Sequence, residues 1–293
     1  MTLCSTPGVG SIRSAIILLV KNSIKLLILN VSIFDENNEK LIRFLKEINP
    51  NIICLQEVTR KVDASALDSF ITKTAVDQAT PRLPYSFYAP NWALRDFKQK
   101  NFHGKKVFHQ DFGGFIEYGN YIKSRFKIIQ GKSVFIQHHF SYLTDWEWME
   151  NHPGEEPRMV QIADLELNSR QKLRLINYHG IWSKDKQGTD RTKSACQKLI
   201  RLAAEVTFPA IICGDFNLFP DTESIKILKE KFTSLVDKYN ISQTRPKTNE
   251  LSSARRNVVD YIFVSKEIRI ESFKVIDSDV SDHLPLLVEF GIK

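Results

Sequence analysis

The chain has 293 residues, of which 42% are hydrophobic and 26% charged, an ordinary balance for a soluble globular protein with ample capacity for a buried core. A formal net charge of +7 and a pI near 9.1 suit an anionic partner such as nucleic acid, a phosphoester or a membrane surface, although charge balance governs steering rather than fold. Four cysteines without CxxC spacing exclude a zinc finger; Cys54 and Cys213 lie inside apolar runs, which favours a reducing compartment over a disulfide framework.

The apolar run Ala15 to Val20 follows Arg13 but is too short to span a membrane, and no small-residue cleavage site follows it. Residues 1–23 read as a leader or an extra edge strand ahead of a single domain over 24–293, in a cytoplasmic, monomeric protein without stable membrane insertion.

Lys25 to Ser32 reads as a buried strand ending in Asn30, and Asp35 opens an amphipathic helix with Leu41, Ile42, Leu45 and Ile48 on one stripe. Asn49 and Pro50 stop that helix, and Asn51 to Val58 is the next strand, ending near Glu57. Strand, helix and strand in this order form a plausible crossover unit. A second helix is expected over Ala64 to Val76. From Thr80 to Asp111 the pattern dissolves into prolines, aromatics and cations, among them Tyr85, Tyr88, Trp92, Lys98 and Lys106. This reads as an irregular segment whose aromatics either pack on the sheet or hold a nucleic-acid strand.

Strand-like runs follow at Gly113 to Glu117, Asn120 to Ser124, Lys132 to Gln137, Met159 to Leu167 and Lys172 to Tyr178. Asp164 and Glu166 alternate with apolar residues, which predicts one wet face. Thr144 to Arg158, with its DWEW and HPGEEPR runs, reads as a loop beside the site, and Asp190 to Glu205 as a helix. Strand Ala210 to Cys213 leads into GDFN. Asp221 or Thr222 caps a helix through Lys231, and Val258 to Ser265, Ile268 to Ile276 and Leu284 to Phe290 close the chain as strands. With no repeat, low-complexity tract or linker, one α/β domain built on two sheets is expected.

Ile211 to Asn217 (IICGDFN) delivers Asp215 and Asn217 to one face of an extended segment while Phe216 anchors the other, unless the strand simply runs into an Asn/Asp turn. Polar residues recur at other strand ends: Asn30, Glu57, His179, Asp260, and Asp282 with His283. Charged and imidazole groups are costly to bury unpaired, so this recurrence points to a shared polar site. Carboxylates with a side-chain amide supply oxygen ligands suited to Mg²⁺ or Mn²⁺, and histidines beside them can carry protons or donate to phosphate oxygens. Asp260 is a candidate orienter for His283.

Asn30, LQEV at Leu55 to Val58, GNYIKSRF at Gly119 to Phe126, NYH at Asn177 to His179, GDFN at Gly214 to Asn217, DYIFVS at Asp260 to Ser265 and SDH at Ser281 to His283 occur in this order. The ordered set resembles the endonuclease/exonuclease/phosphatase superfamily from about Lys25 to the C-terminus. The resemblance implies a deoxyribonuclease I-like, four-layered α/β sandwich, two mixed β-sheets packed face to face with helices outside, and Mg²⁺-dependent cleavage of a phosphoester by activated water. Glu57 would be the main metal ligand assisted by Asn30, with Asp282 near a second metal position. Asp215 would orient or deprotonate the water, and Asn217 would position it or the phosphate. His283, oriented by Asp260, and His179 would contact the scissile phosphate; Arg158 is a further candidate phosphate-binding residue. Which of Asp215 and His283 is the base stays open.

Two departures from the family pattern bear on substrate rather than chemistry. Tyr121 replaces an alanine of many relatives, and the segment after His179, GIWSKDKQGTDRTK, resembles an uncharacterised bacterial branch. Its cations over Ser183 to Lys193 form either a phosphate funnel or a solvated helix start, and Trp146, Trp148 and Trp182 either stack a base or pack. The expected substrate is nucleic acid or a nucleotide-like phosphodiester. The alternatives are a phosphatase or phosphodiesterase for a small or lipid phosphate, and a phosphate-binding module with little turnover.

Overall fold

The computed structural model describes residues 23–32, 38–62, 71–94, 100–102, 105–108, 114–143, 151–152, 154–246 and 257–293. The run 15–20, the helix start at Asp35, His103, His109, Trp146 and Trp148 lie outside the described residues. In chain order the elements are β1 (Ile24–Asn30), α1 (Asn38–Ile48), β2 (Ile52–Lys61), α2 (Thr72–Ala79), β3 (Tyr85–Leu94), β4 (Lys100–Phe102), β5 (Lys105–Phe108), β6 (Ile116–Ser124), β7 (Lys127–Gln137), β8 (Tyr142–Leu143), β9 (Arg158–Glu166) and β10 (Lys172–His179). Then come α3 (Asp190–Ala204), β11 (Ala210–Asp215), α4 (Glu223–Lys229), β12 (Thr233–Ser234), α5 (Leu235–Lys238), β13 (Asp260–Val264), β14 (Ile268–Val275) and β15 (Leu286–Ile292).

Two mixed sheets result, one ordered β14-β15-β1-β2-β6-β3-β8 and the other β12-β13-β11-β10-β9-β7, with β4 and β5 as a separate hairpin. Parallel pairing joins β1 to β2 across α1, and β10 to β11 across α3, so the expected crossover forms twice. Alternation along β1 and β2 sends Leu26, Ile28, Ile52 and Cys54 into a core shared with Val160, Ile162, Ile176 and Cys213 of the second sheet. Leu27, Leu29, Ile53 and Leu55 point the opposite way and pack with Leu41, Leu45 and Val76 of the outer helices. On the far side, α3 buries Ala195, Cys196, Leu199 and Leu202. Thr189 caps it, accepting from Thr192 N–H, and Thr222 caps α4 as expected. The architecture is the four-layered α/β sandwich.

Three local expectations need correction. The irregular segment after Thr80 contains the ten-residue strand β3, which crosses most of β6 and tolerates Pro90 through a register shift between Pro90 and Trp92. Trp92 is buried there and stacks on Tyr118 with ring centroids 4.3 Å apart, so it packs instead of offering a stacking platform. The runs 113–117 and 120–124 merge into β6, because Gly119 lets Ala89 of β3 come close: a Cβ at this position would lie 2.2 Å from the Ala89 carbonyl oxygen. Finally, β9 has no wet face at Asp164. Arg174, its cross-strand partner on β10, forks onto both Asp164 oxygens at 2.7 Å and donates to the Leu202 carbonyl, so α3 covers a paired charge.

Helix α2 spans Thr72–Ala79 and runs past Val76, and residues 64–70 of the helix read from the sequence lie outside those described. Tyr121 turns away from the inter-sheet core and donates to Asp77 of α2 at 2.6 Å, so this departure from the family pattern belongs to the helix layer. Cys54, Cys196 and Cys213 are free and buried. Among the described residues no helix is long and apolar enough to cross a membrane.

Candidate active site

Strand register alone brings three of the expected residues to one level: His179 on β10 pairs with Asp215 on β11, which pairs with Asp260 on β13. Across the sandwich, Asn30 ends β1 on the inward face shared with Leu26 and Ile28. Its Nδ2 donates to Asp215 Oδ2 at 3.1 Å and to Glu57 Oε1 at 2.9 Å, tying the two sheets together at their common edge. The Asn30 Oδ1 accepts from Ser32 N–H at 3.0 Å.

Glu57 reaches this place by breaking the strand rule. Ile53 and Leu55 face the outer helices, so strict alternation would send Glu57 there too. Register between β2 and β6 shifts between Leu55 and Val58, Glu57 takes φ 61, and Val58 returns to the outer face in its stead. Left-handed backbone at a glutamate costs on the order of 1 kcal/mol, the kind of local strain that collects at functional sites.

The GDFN stretch combines both of its sequence readings. β11 ends at Asp215, and Asn217 arrives by a turn in which its N–H donates to Asp215 Oδ1 at 2.8 Å, with Asn217 at φ 56. Phe216 anchors the turn against the rings of Tyr178, Tyr261 and Phe263. Gly214 has φ +132, and a Cβ there would meet the Tyr178 carbonyl oxygen at 2.0 Å.

His283 comes from the loop before β15. Ser281 Oγ donates to the Asn30 carbonyl at 2.7 Å and accepts from His283 N–H at 3.2 Å, which pins this loop to the end of β1. His283 Nδ1 lies 2.9 and 3.0 Å from the two Asp260 oxygens, and its Nε2 lies 3.6 Å from Asp215 Oδ2. Asp282 sits at the rim and pairs with Arg245 at 2.8 Å.

Arg158 is buried behind His179: a guanidinium nitrogen stands 3.3 Å from His179 Nδ1, and the Tyr118 hydroxyl is 3.1 Å from the same atom. An arginine can only donate, so Nδ1 is an acceptor and the ring proton sits on Nε2. That N–H faces Asp215 Oδ2 and Glu57 Oε1 at 3.7 and 3.8 Å. Burial, reinforced by Arg158, holds the His179 pKa well below its ordinary value, so the ring stays neutral. Burial pulls the His283 pKa down as well, but the carboxylates of Asp260, Asp215 and Asp282 together outweigh it and set it at about 9. For Asp215, burial acts upward and is overcome by His283, His179, Lys186 and Arg245, which hold the carboxyl at about 2.

Beneath the site, a buried amide network joins the sheets. Gln56 donates to Asn177 Oδ1 at 2.6 Å, and Asn177 Nδ2 donates to Gln161 Oε1 and the Leu55 carbonyl, both at 3.0 Å. A fully buried network of this kind locks the two sheets in one alignment.

Every expected site residue thus lies at this edge, with Asp282 at its rim and Arg158 behind it. Sequence reading missed Thr244, Arg245, Tyr118 and the specific place of Lys186. Thr244 Oγ1 donates to Asp260 Oδ2 at 2.7 Å, and an Arg245 nitrogen stands 3.2 Å from His283 Nε2. Loop residues carry no periodicity to reveal them; for Lys186 the signal was the cation-rich run after His179. His138 and His139 are exposed, outside the site.

The donor set fits a hard divalent cation: Glu57 and Asp215 present carboxylate oxygens, which suit Mg²⁺ or Mn²⁺, while Asn30 turns Nδ2 to both of them and Oδ1 to Ser32 N–H. Asp215, Asp260 and His283 also place one potential ligand atom each within 4.8 Å of one another. In that trio His283 Nδ1 is already taken up by Asp260, so its chemistry is first that of a hydrogen-bonded acid–base pair.

The sequence matches the family model described as "Endonuclease/Exonuclease/phosphatase family" over residues 29–283, and the chain belongs to that family. Among curated proteins no sequence matches. Solved structures share the fold. An endonuclease/exonuclease/phosphatase from Bacteroides vulgatus is similar with TM-score 0.63 at 14% identity, over 93% of this chain and 100% of that one. The human Nocturnin catalytic domain with bound sulfate gives 0.59 at 17% identity over 92% and 94%. A Bacteroides thetaiotaomicron mannosyl-6-phosphatase gives 0.61 at 15% identity over 92% and 100%.

Proposed function

We propose that this protein is a metal-dependent phosphoesterase that hydrolyses a phosphodiester of nucleic acid or a nucleotide-like substrate by attack of water. The observation that carries the reading is the meeting of Asn30, Glu57, His179, Asp215 and the Asp260–His283 pair at one sheet edge. Glu57 would hold Mg²⁺ or Mn²⁺, assisted by Asn30 once its amide turns Oδ1 to the cation, with Asp282 serving a second cation position; the cation would polarise a phosphoryl oxygen and offset charge on the leaving group.

Asp215, ionised at neutral pH, accepts the proton of the attacking water and aims it at phosphorus. Asn217 positions the water and a phosphate oxygen from the adjoining turn. His283, its Nδ1 proton held by Asp260, brings Nε2 and the Arg245 guanidinium beside it at 3.2 Å to the scissile phosphate. His179, locked with its proton on Nε2, donates to a phosphate oxygen, and Arg158 adds positive potential from behind it. The net charge of +7 favours a polyanionic substrate and steers it to the site.

The test is hydrolysis of a panel of DNA, RNA, abasic DNA, nucleotides and phospholipid headgroups with Mg²⁺ or Mn²⁺, using Glu57→Gln and His283→Ala as controls. Turnover lost in both variants is expected, with nucleic acid or nucleotides as the best substrates. Equal activity in the variants refutes the site, and no turnover of any phosphoester by the unaltered protein favours a phosphate-binding module.

A further inference from the structure

Between β10 and α3 the chain runs as a strap over the site, and one cation on it is turned inward. Lys184, Asp185 and Gln187 are exposed, whereas Lys186 is 1% exposed. Lys186 has φ 56, and its carbonyl accepts from Phe219 N–H at 3.0 Å, so the turn that buries the side chain is held to the segment following GDFN. Its Nζ donates to Asn217 Oδ1 at 2.5 Å and lies 4.8 Å from the centroid of the Trp182 ring. Of its three donors, only that one has a hydrogen-bond acceptor among the described residues, and no carboxylate pairs with it there.

A buried ammonium without a carboxylate partner is a poor structural element, since an apolar side chain of similar length would be cheaper to bury. The other charges that act on it are those of the site: Asp215 and Glu57 on one side, Arg245 and Arg158 on the other. It also decides which way the Asn217 amide points. With Oδ1 committed to Lys186, Nδ2 reaches, among the described residues, only the Gly180 carbonyl at a long 3.4 Å and keeps a proton for a ligand.

Taking the site as a phosphoester site, we infer that Lys186 is a further substrate-binding residue: its ammonium donates to a non-bridging phosphate oxygen while holding Asn217 Nδ2 toward the same phosphate. The Trp182 ring backs the ammonium, and the phosphate supplies the acceptors the protein leaves out. Burial lowers the Lys186 pKa to about 7, and an arriving phosphate anion favours the charged form.

The test is calorimetric titration of inorganic phosphate into the metal-free protein at constant ionic strength, for the unaltered chain, Lys186→Met and Lys186→Arg. Losing a charge-assisted hydrogen bond predicts phosphate affinity weaker by about 10-fold or more in Lys186→Met. The thermal midpoint of that variant without phosphate should match or exceed that of the unaltered protein, because a buried unpaired charge has gone. Affinity unchanged by Lys186→Met, or no phosphate binding by the unaltered protein, overturns the inference. A measurement that needs no neutral variant is the Lys186 ¹³Cε resonance, assigned by its loss in Lys186→Arg: phosphate must shift it, and an unmoved resonance at saturation overturns the inference as well. Because binding is read without turnover, a protein that binds phosphate through Lys186 yet hydrolyses nothing would refute the phosphoesterase reading and leave this one standing.

Discussion

Asp260 meets His283 Nδ1 with both carboxylate oxygens, at 2.9 and 3.0 Å, from the first residue of β13. The ordinary histidine value is 6.5 and the folded value is about 9, so the folded state binds this proton more tightly than the unfolded chain. The His283 proton therefore contributes its full stability below pH 6.5 and loses it as pH rises through about 9, while burial raises the Asp260 pKa and bounds the pair at the acid end. In metal-free protein this contribution opposes that of Lys186, whose value burial lowers from 10.5 to about 7, so it is read as the difference in stability between the unaltered protein and His283→Ala. That difference should shrink by an amount on the order of a few kcal/mol between pH 6.5 and about 9; a difference independent of pH would show that another group is responsible.

Glu57→Gln keeps the shape of the bulge and removes the charge. Loss of the carboxylate is expected to lower metal-supported phosphoester hydrolysis by about two orders of magnitude or more. Calorimetric Mg²⁺ or Mn²⁺ binding should weaken in parallel, while the thermal midpoint changes little. Retained metal affinity would remove Glu57 from the cation site.

Arg158 carries the tautomer of His179 and also stands 3.6 Å from buried Glu156, whose Oε2 has no hydrogen-bond partner among the described residues. Removing the arginine strands that carboxylate. Arg158→Met should cost about 3–5 kcal/mol, and adding Glu156→Gln should restore part of it. The ¹⁵N shifts of His179 should move toward a mixture of tautomers; an unchanged Nε2–H pattern would assign the tautomer to Tyr118 alone.

Gly214→Ala tests how closely β10 and β11 meet below the site. With φ +132 and a Cβ placed 2.0 Å from the Tyr178 carbonyl oxygen, alanine must part the strand ends. Destabilisation of at least about 3 kcal/mol is expected, measured by chemical denaturation. A near-neutral substitution would mean that the strand ends separate easily and that His179 and Asp215 are not held rigidly.

Much of the framework was legible because it rests on short apolar runs. Such runs marked β1, β2, β10, β11 and β13, and the polar residues closing them meet at one sheet edge. β3 was not legible: Pro90 and Asn91 break its alternation, and only pairing with β6 across Gly119, together with Met159 N–H donating to Asn91 Oδ1 at 3.1 Å, makes them part of a strand. Asp164 read as solvated because a buried charge cannot be told from an exposed one until its partner Arg174 is placed.

By itself the sequence determined most of the strands around the site, which polar residues end them, and so the chemistry available at the sheet edge. Tertiary structure decided where those groups point. Glu57 turns to the site only because a bulge against β6 overrides alternation, His179 has its proton on Nε2 only because Arg158 stands behind it, and Lys186 is a buried cation only because its turn is held by Phe219. The physical reason is common to the three: side-chain direction and protonation depend on partners tens of residues away, and those partners exist only once the sheets have packed.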